Sequence, residues 1–489
     1  MHSLKRTAAI ALIRIPSPLG LAGDSSYRGP VLFNPGGPGG SGVEAVLSLG
    51  EAITSVIGPE FDLVSFDPRG VNHSTPQVSF FKSEPERAAF DFSATALNMD
   101  ANSFDEVPGR WARMQVLGRL AKDRDTGILN YLTTDNVARD MLSIVQAHGR
   151  ENLVYWGVSY GCILGSTFAA MFPDKVERLV LDGVPDVEGY YDMDFSNSVL
   201  DADRALQTFF DGCAAAGPNL CAFHSPTPSA IKDRLSALSA SLIEQPVPAY
   251  SPSLPKYGVL DYVTLQRALF SVLYAPYELF PLLAQGLKAL EEGDGSLVYQ
   301  LAEPLATEAV VAIGCTDADP VEDGPEEMRA YAERISGIST FSHIMASYRL
   351  GCRSSSGWKI HPNNFRGPIS GNTSFPMLII GNTADQITPL AMAKKLAIGF
   401  PGSVVLTQDS PGHTSFNAPS ECTLGHVQRY FQNGTLPEEC IVCNVTAPLF
   451  PPPSNASDLA KRMGRRECNS LADIAQRLRN INKRHLFAI

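Results

Sequence analysis

One stretch limits the possible folds more than any other in this chain. Leu153 to Trp156 is a short apolar run, Gly157-Val158-Ser159-Tyr160-Gly161 follows it directly, and a helical pattern continues to about Phe172. A strand that turns at a serine straight into a helix strains the serine backbone and lifts its hydroxyl clear of the strand. The two glycines flanking the turn remove side chains that would clash there. Gly161, Gly165 and Ala169 stand four residues apart, so one face of the helix is small enough to pack close to a sheet. A serine in an ordinary glycine-rich turn is the alternative, and it gives no reason for the strand before or the helix after.

The rest of the chain supplies the other strands. Nearly continuous apolar runs end in turn residues at 30–34, 61–66, 179–181, 376–380 and 404–407, the pattern of strands buried on both faces of a parallel sheet. Helical patterns lie between them. The clearest covers 134–148, with Val137, Met141, Ile144 and Val145 on one face, Thr134 as the expected N-cap and Gly149 beyond the end. Strand alternating with helix predicts an α/β domain with a mainly parallel, twisted sheet flanked by helices. That rhythm breaks between about Val187 and Phe375, where helical segments such as 202–216 and 262–292 dominate. Strand-like runs resume afterwards and are needed to complete the sheet. Residues 187–375 therefore read as an inserted, mostly helical lid rather than an independent domain. The main domain is then 1–186 plus 376–450, with a tail at 451–489.

Composition closes off several classes. A formal net charge of −12 argues against a nucleic-acid partner, since phosphate binding needs clustered Lys and Arg. The basic residues of the tail, around Lys461 to Arg466 and Arg477 to Arg484, read as a solvated helix face. No apolar run approaches the roughly 18 residues of a bilayer-spanning helix, so no membrane partner is expected. The nine cysteines include no pair of C-x-x-C motifs with matching histidines, so no metal site is expected either.

A hydroxyl is a poor nucleophile near neutral pH unless an adjacent base takes its proton, a contribution of about 10²- to 10⁴-fold. Among nine histidines, His413 alone sits in a glycine-containing loop just past a late strand, Asp409-Ser410-Pro411-Gly412-His413. His426 falls inside a helical pattern. The acid that fixes the imidazole tautomer should follow the preceding strand, and Asp385 does so in Gly381-Asn382-Thr383-Ala384-Asp385. Asp409 is the competitor, badly placed to reach the far side of a ring only four residues away. Acyl transfer also needs two backbone N–H donors for its tetrahedral intermediate. Tyr160, next after Ser159, is one, and the turn Asn34-Pro35-Gly36-Gly37-Pro38-Gly39-Gly40-Ser41-Gly42 is the source of the other. Nucleotide binding is the rival reading of these glycines, but no Lys-Ser/Thr pair follows them.

These motifs together, with Asp67-Pro68-Arg69-Gly70 and the closing 422–440 segment containing Gly434-Thr435-Leu436-Pro437, resemble the tripeptidyl-aminopeptidase and prolyl-aminopeptidase-like branch of the α/β hydrolases over about Val31 to Cys443. The resemblance implies the α/β-hydrolase fold, with the triad Ser159, Asp385 and His413. Through the shared Gly-Gly-Pro-Gly motif it implies Gly37 as the second oxyanion donor, with Asp67 and Arg69 in support. It further implies removal of short N-terminal peptides or single residues from substrates with a free amine, through an acyl-enzyme and without metal or organic cofactor. Such selectivity calls for a lid carboxylate to pair with the ammonium. Asp192, Asp194, Asp201 and Asp203, at the start of the lid, are the candidates, and each can equally be a solvated helix residue. Cys162 departs from the family pattern, standing where Thr is usual, and the 36 residues after Pro453 are extra.

A second reading, hydrolysis of a small ester, thioester or lactone, uses the same triad behind a different lid, because specificity lives in the lid. A catalytically dead binding module on this fold would show a broken triad or oxyanion turn, and every element is present. The expected partner is thus a peptide or a small acyl substrate. Five N-x-Ser/Thr sequons, at Asn72, Asn372, Asn433, Asn444 and Asn455, and locally grouped cysteines such as Cys213 and Cys221 favour the secretory pathway. Cys162 is the expected unpaired thiol. No signal peptide is visible, since Arg14 cuts short the apolar stretch from Ala8. Residues 7–15 read as a first strand, which would place the start of the precursor outside this chain, and a cytosolic protein stays an alternative.

Overall fold

Tyr155 and Trp156, neighbours on one strand, point to opposite faces and are both fully buried. A strand covered on both sides needs a layer of helices above and below it. The structure that provides these layers is a computed structural model describing residues 7–92, 107–302, 307–352, 364–365, 367–418 and 420–452. Its strands are β1 (Leu12–Ile15), β2 (Gly29–Asn34), β3 (Phe61–Phe66), β4 (Leu153–Val158), β5 (Val176–Asp182), β6 (Val247–Ala249), β7 (Gly258–Leu260), β8 (Leu378–Ala384), β9 (Val404–Pro411) and β10 (Val442–Asn444). Eight of them form one sheet in the order β1-β3-β2-β4-β5-β8-β9-β10. Only β1 runs antiparallel, against β3. The other neighbours are parallel. The first strand is shorter than its sequence pattern, and Ala9 makes only an isolated bridge to Thr75.

One face of the sheet packs against the helices Thr134–Ala147 and Tyr160–Met171, with Met141, Tyr155 and Phe168 in the core. The other packs against Gly42–Ile57 and Glu421–Asn433, around Phe33, Trp156 and Phe431. Thr134 is not the N-cap but the first helical residue. Its hydroxyl and N–H are both held by Asp317 of the insertion.

Between β5 and β8 the chain is mostly helical, broken by the β6–β7 hairpin. This insertion has a core of its own, built on Phe209, Phe223, Phe270, Phe280 and Phe341, which also takes in Ala384 of β8 and Phe450. The pattern at 262–292 resolves into two helices, Tyr262–Val272 and Pro276–Glu291. Pro276 is the cause: it opens the second helix, and its ring drives Ala275 out of the helical region, to φ −136°. The tail from Pro453 onward lies outside the described residues.

Three disulfides close local loops: Cys213–Cys221, Cys315–Cys352 and Cys422–Cys443. Cys162 is a buried free thiol and Cys440 an exposed one. The Cys315–Cys352 bridge spans 37 residues of the insertion, so replacing both cysteines by alanine should cost about 2–4 kcal/mol by releasing that loop in the unfolded chain. Urea denaturation followed by fluorescence checks this. An unchanged midpoint would mean that the insertion core holds without the bridge.

Candidate active site

Ser159 follows β4 directly, before the helix Tyr160–Met171, with φ +57° and ψ −123°, a conformation a non-glycine residue adopts only under constraint. The constraint is visible on both sides of the residue. Its N–H donates to the Asp182 carbonyl on β5 (2.9 Å), and its carbonyl accepts from the Cys162 N–H (2.7 Å). A Cβ on Gly157 would stand 2.3 Å from the Gly161 carbonyl oxygen, and one on Gly161 would stand 2.7 Å from that of Asn34. Neither position has room for a side chain.

His413 follows β9 in a loop pinned from several directions. Asn382 Nδ2 donates to the carbonyls of Gly412 (2.8 Å) and Thr414 (2.7 Å), and Asn417 Nδ2 donates to that of His413. The His413 N–H reaches the Tyr274 carbonyl at 3.1 Å, in the break between the two insertion helices. The Tyr274 ring meets the imidazole edge-on at 5.3 Å.

Asp385, fully buried, lies 3.0 Å from His413 Nδ1 through Oδ2. The same carboxylate accepts the N–H groups of Ile387, Thr388 and Thr414 and the Thr388 hydroxyl. Burial alone would raise its pKa. The charge and hydrogen bond of His413, with the Thr388 and Ile387 donors, outweigh burial and hold the carboxyl below its usual range. An ionised Asp385 assigns the proton to Nδ1 and leaves the Nε2 lone pair as a base. Nε2 is buried and has no hydrogen-bond partner among the described residues.

The glycine-rich turn after β2 runs directly past Ser159. A Cβ on Gly36 would sit 2.4 Å from the Val158 carbonyl oxygen and 3.1 Å from the Tyr160 nitrogen, and its φ is +98°. The N–H groups of Gly37 and Tyr160 have no acceptor among the described residues. Gly37 to Gly42 also spells G-x-G-x-x-G, but Gly39 is packed against Ala309 of the insertion, where a phosphate-binding turn would need an open face. Asp67 holds the exit of the turn by accepting the Ser41 hydroxyl (2.6 Å) and the Val43 N–H (3.0 Å). Arg69 forms a two-pronged pair with Asp140 at 2.6 and 2.8 Å.

The competing residues lie elsewhere. Asp409 is exposed and accepts the Thr383 hydroxyl. His426 stands on the helix Glu421–Asn433 beside Arg429. Of the four lid aspartates, Asp203 is exposed and bound to Thr340. Asp194 pairs with Arg334 (2.9 Å). Asp192 lines a cleft of about 510 Å³ with Asp194, Asp323, Glu327, Arg334 and Arg349. Asp201, half-buried like Asp194, is the one of the four whose carboxyl feels the charge of Asp385. Burial raises its carboxyl, Arg204 lowers it, and the charge of Asp385 raises it again. Among the described residues one group, Cys422, His426 and Cys443, brings three metal-ligating atoms within 4.8 Å, and its two sulfurs are joined in a disulfide.

Sequence reasoning missed two buried carboxyls, Asp182 and Asp317. Burial pushes each up to about 6 against the pull of its hydrogen bonds. Asp317 accepts from Thr134 N–H and Oγ1 and from the Tyr190 hydroxyl, and Thr134 Oγ1 in turn meets the Tyr160 hydroxyl. A carboxyl raised in the fold stabilises below its unfolded pKa, near 3.9, and loses that contribution as pH climbs through about 6. Relative to wild type, Asp317→Asn should therefore gain roughly 3 kcal/mol between pH 4 and pH 7. Paired thermal melts across that range check the sign, and a constant Tm difference would refute it.

The sequence carries two family signatures, an alpha/beta hydrolase fold over residues 29–232 and a TAP-like protein over 339–443. Serine protease Hip1 of Mycobacterium tuberculosis is 28% identical over 89% of this chain and 84% of its own. The tripeptidyl aminopeptidase of Streptomyces lividans is 28% identical over 86% of this chain and 77% of its own. Carboxylesterase B of Mycobacterium tuberculosis is 29% identical over 89% and 82%. The sheet, the turn at Ser159 and these matches lead to one conclusion: the chain is a serine hydrolase of the α/β-hydrolase fold that carries a TAP-like segment at 339–443.

Proposed function

We propose that the protein is an exopeptidase that removes short N-terminal peptides or single residues, with Ser159 as nucleophile, His413 as base and Asp385 as the acid that orients it. The observation that carries the triad is the buried, five-donor carboxylate of Asp385 on Nδ1 of a histidine whose Nε2 has no hydrogen-bond partner among the described residues. In this reading Nε2 takes the Ser159 proton as Oγ attacks the scissile carbonyl. The N–H groups of Gly37 and Tyr160 receive the oxyanion, each worth about 10²- to 10³-fold in rate. The imidazolium then protonates the leaving amine, and a water activated by the same nitrogen releases the acyl group.

Two relatives named as a serine protease and a tripeptidyl aminopeptidase support a peptide substrate. Asp201 is the lid carboxylate we assign to the substrate ammonium, because of the four it is the one within electrostatic reach of Asp385, whereas half-buried Asp194 is already paired with Arg334. The exposed side chains of Asn72, Asn372, Asn433 and Asn444 and the three disulfides support a glycosylated, secreted protein. The relative named Carboxylesterase B favours the second reading, a small-molecule esterase.

A panel of Pro-, Ala- and tripeptide-linked aminocoumarins, each with a free or an acetylated N-terminus, separates the two readings when run beside a p-nitrophenyl ester. Free peptides should be cleaved and acetylated ones spared, with Asp201→Asn raising KM for the free set about tenfold or more. Turnover of the ester alone would sink the peptidase assignment while leaving the triad in place.

A further inference from the structure

Asp182 stands at the end of β5, between β4, which leads into Ser159, and β8, which leads into Asp385. Its carbonyl accepts the Ser159 N–H at 2.9 Å and the Cys162 thiol at 3.4 Å. Its side chain, fully buried, accepts the Ser415 N–H at 2.9 Å and the Ser415 hydroxyl, two residues past His413. One residue thus grips the nucleophile turn with its backbone and the loop of the base with its carboxylate. Among the described residues no Lys or Arg forms an ion pair with it.

A buried carboxylate without a counter-ion is expensive to keep, and one that served only packing would be replaced at little loss by a neutral residue. We propose that Asp182 is a positioning residue for the reaction: it fixes the base relative to the nucleophile by holding Ser415. The inference rests on the triad reading given above.

Both Ser415 donors need an acceptor oxygen, so the ionised form is the competent one. Once protonated, the carboxyl carries a donor of its own, and one bond to the loop is lost. The ionisable groups that face it are His413 and Asp385, with the Cys162 thiol beside its carbonyl. Burial pushes its carboxyl up to about 6, so the acid limb of kcat/KM should contain this group.

The experiment compares wild type, Asp182→Asn, Ser415→Ala and the double variant. It reads kcat and KM on the best substrate of the panel, the rate at which a fluorophosphonate labels Ser159, and Tm. Asp182→Asn should lower kcat and the labelling rate together by about 10- to 100-fold, leave KM within about threefold, and remove the part of the acid limb that falls near pH 6. Ser415→Ala should fall in between. The double variant should be no worse than Asp182→Asn, because both remove the same contact. Wild-type kcat and labelling in Asp182→Asn, with only Tm changed, would overturn the inference alone. Failure of the wild type to be labelled at Ser159 would remove the triad reading and this inference with it. Should Asp182→Asn not fold, unchanged kcat in Ser415→Ala would be enough to reject the proposal.

Discussion

Ser159→Ala is expected to lower kcat by about 10⁶-fold while KM changes little, because substrate binding and the oxyanion donors survive the loss of the hydroxyl. The folded state should not suffer. The hydroxyl makes no hydrogen bond among the described residues, and the strained backbone is held by Asp182 and Cys162 through main-chain atoms that alanine keeps. Steady-state hydrolysis of the best panel substrate, with a thermal melt as control, decides the matter. Residual activity above about one part in 10³, from correctly folded protein, would mean that another group is the nucleophile.

Asp385→Asn should lower kcat by about 10⁴-fold for a different reason: the amide offers its N–H to Nδ1 or to the N–H groups around it, and the imidazole loses the tautomer that leaves Nε2 basic. This variant should also lose stability, on the order of 3 kcal/mol, since five donors converge on the carboxylate and an amide can satisfy only its oxygen side. The pH dependence has a definite sign. A carboxyl whose pKa is lowered in the fold stabilises above the unfolded value, near 3.9, and loses that contribution as pH falls through the folded one. The stability gap between wild type and Asp385→Asn should therefore narrow below about pH 4. A gap that widens as pH falls would reverse the sign of this linkage, and a kcat within tenfold of wild type would remove Asp385 from the triad.

What the sequence made legible follows from where the signal is local. The turn at Ser159 declares itself because glycine, serine, strand and helix are contiguous, and Asp385 and His413 each follow an apolar strand at a loop rich in turn residues. The parallel sheet was legible for the same reason, through the doubly apolar runs. Asp182 and Asp317 were not legible, because their significance lies in partners far along the chain: Ser415 for one, Thr134 and Tyr190 for the other. The break at 273–275 was lost because the apolar pattern continues through Pro276, which periodicity alone does not register as a boundary. Among the lid aspartates, only the fold could separate Asp203, tied to Thr340, from Asp201.

That break also limits how this enzyme can be re-engineered. The carbonyl of Tyr274 holds the N–H of His413, Pro276 packs on Gly412, and a shared core joins the insertion to Ala384 just before Asp385. Grafting a relative's insertion onto this sheet to change substrate choice therefore exchanges part of the support of the base as well. A chimera that keeps residues 273–277 with the sheet retains that support and leaves the remainder of the insertion free to vary.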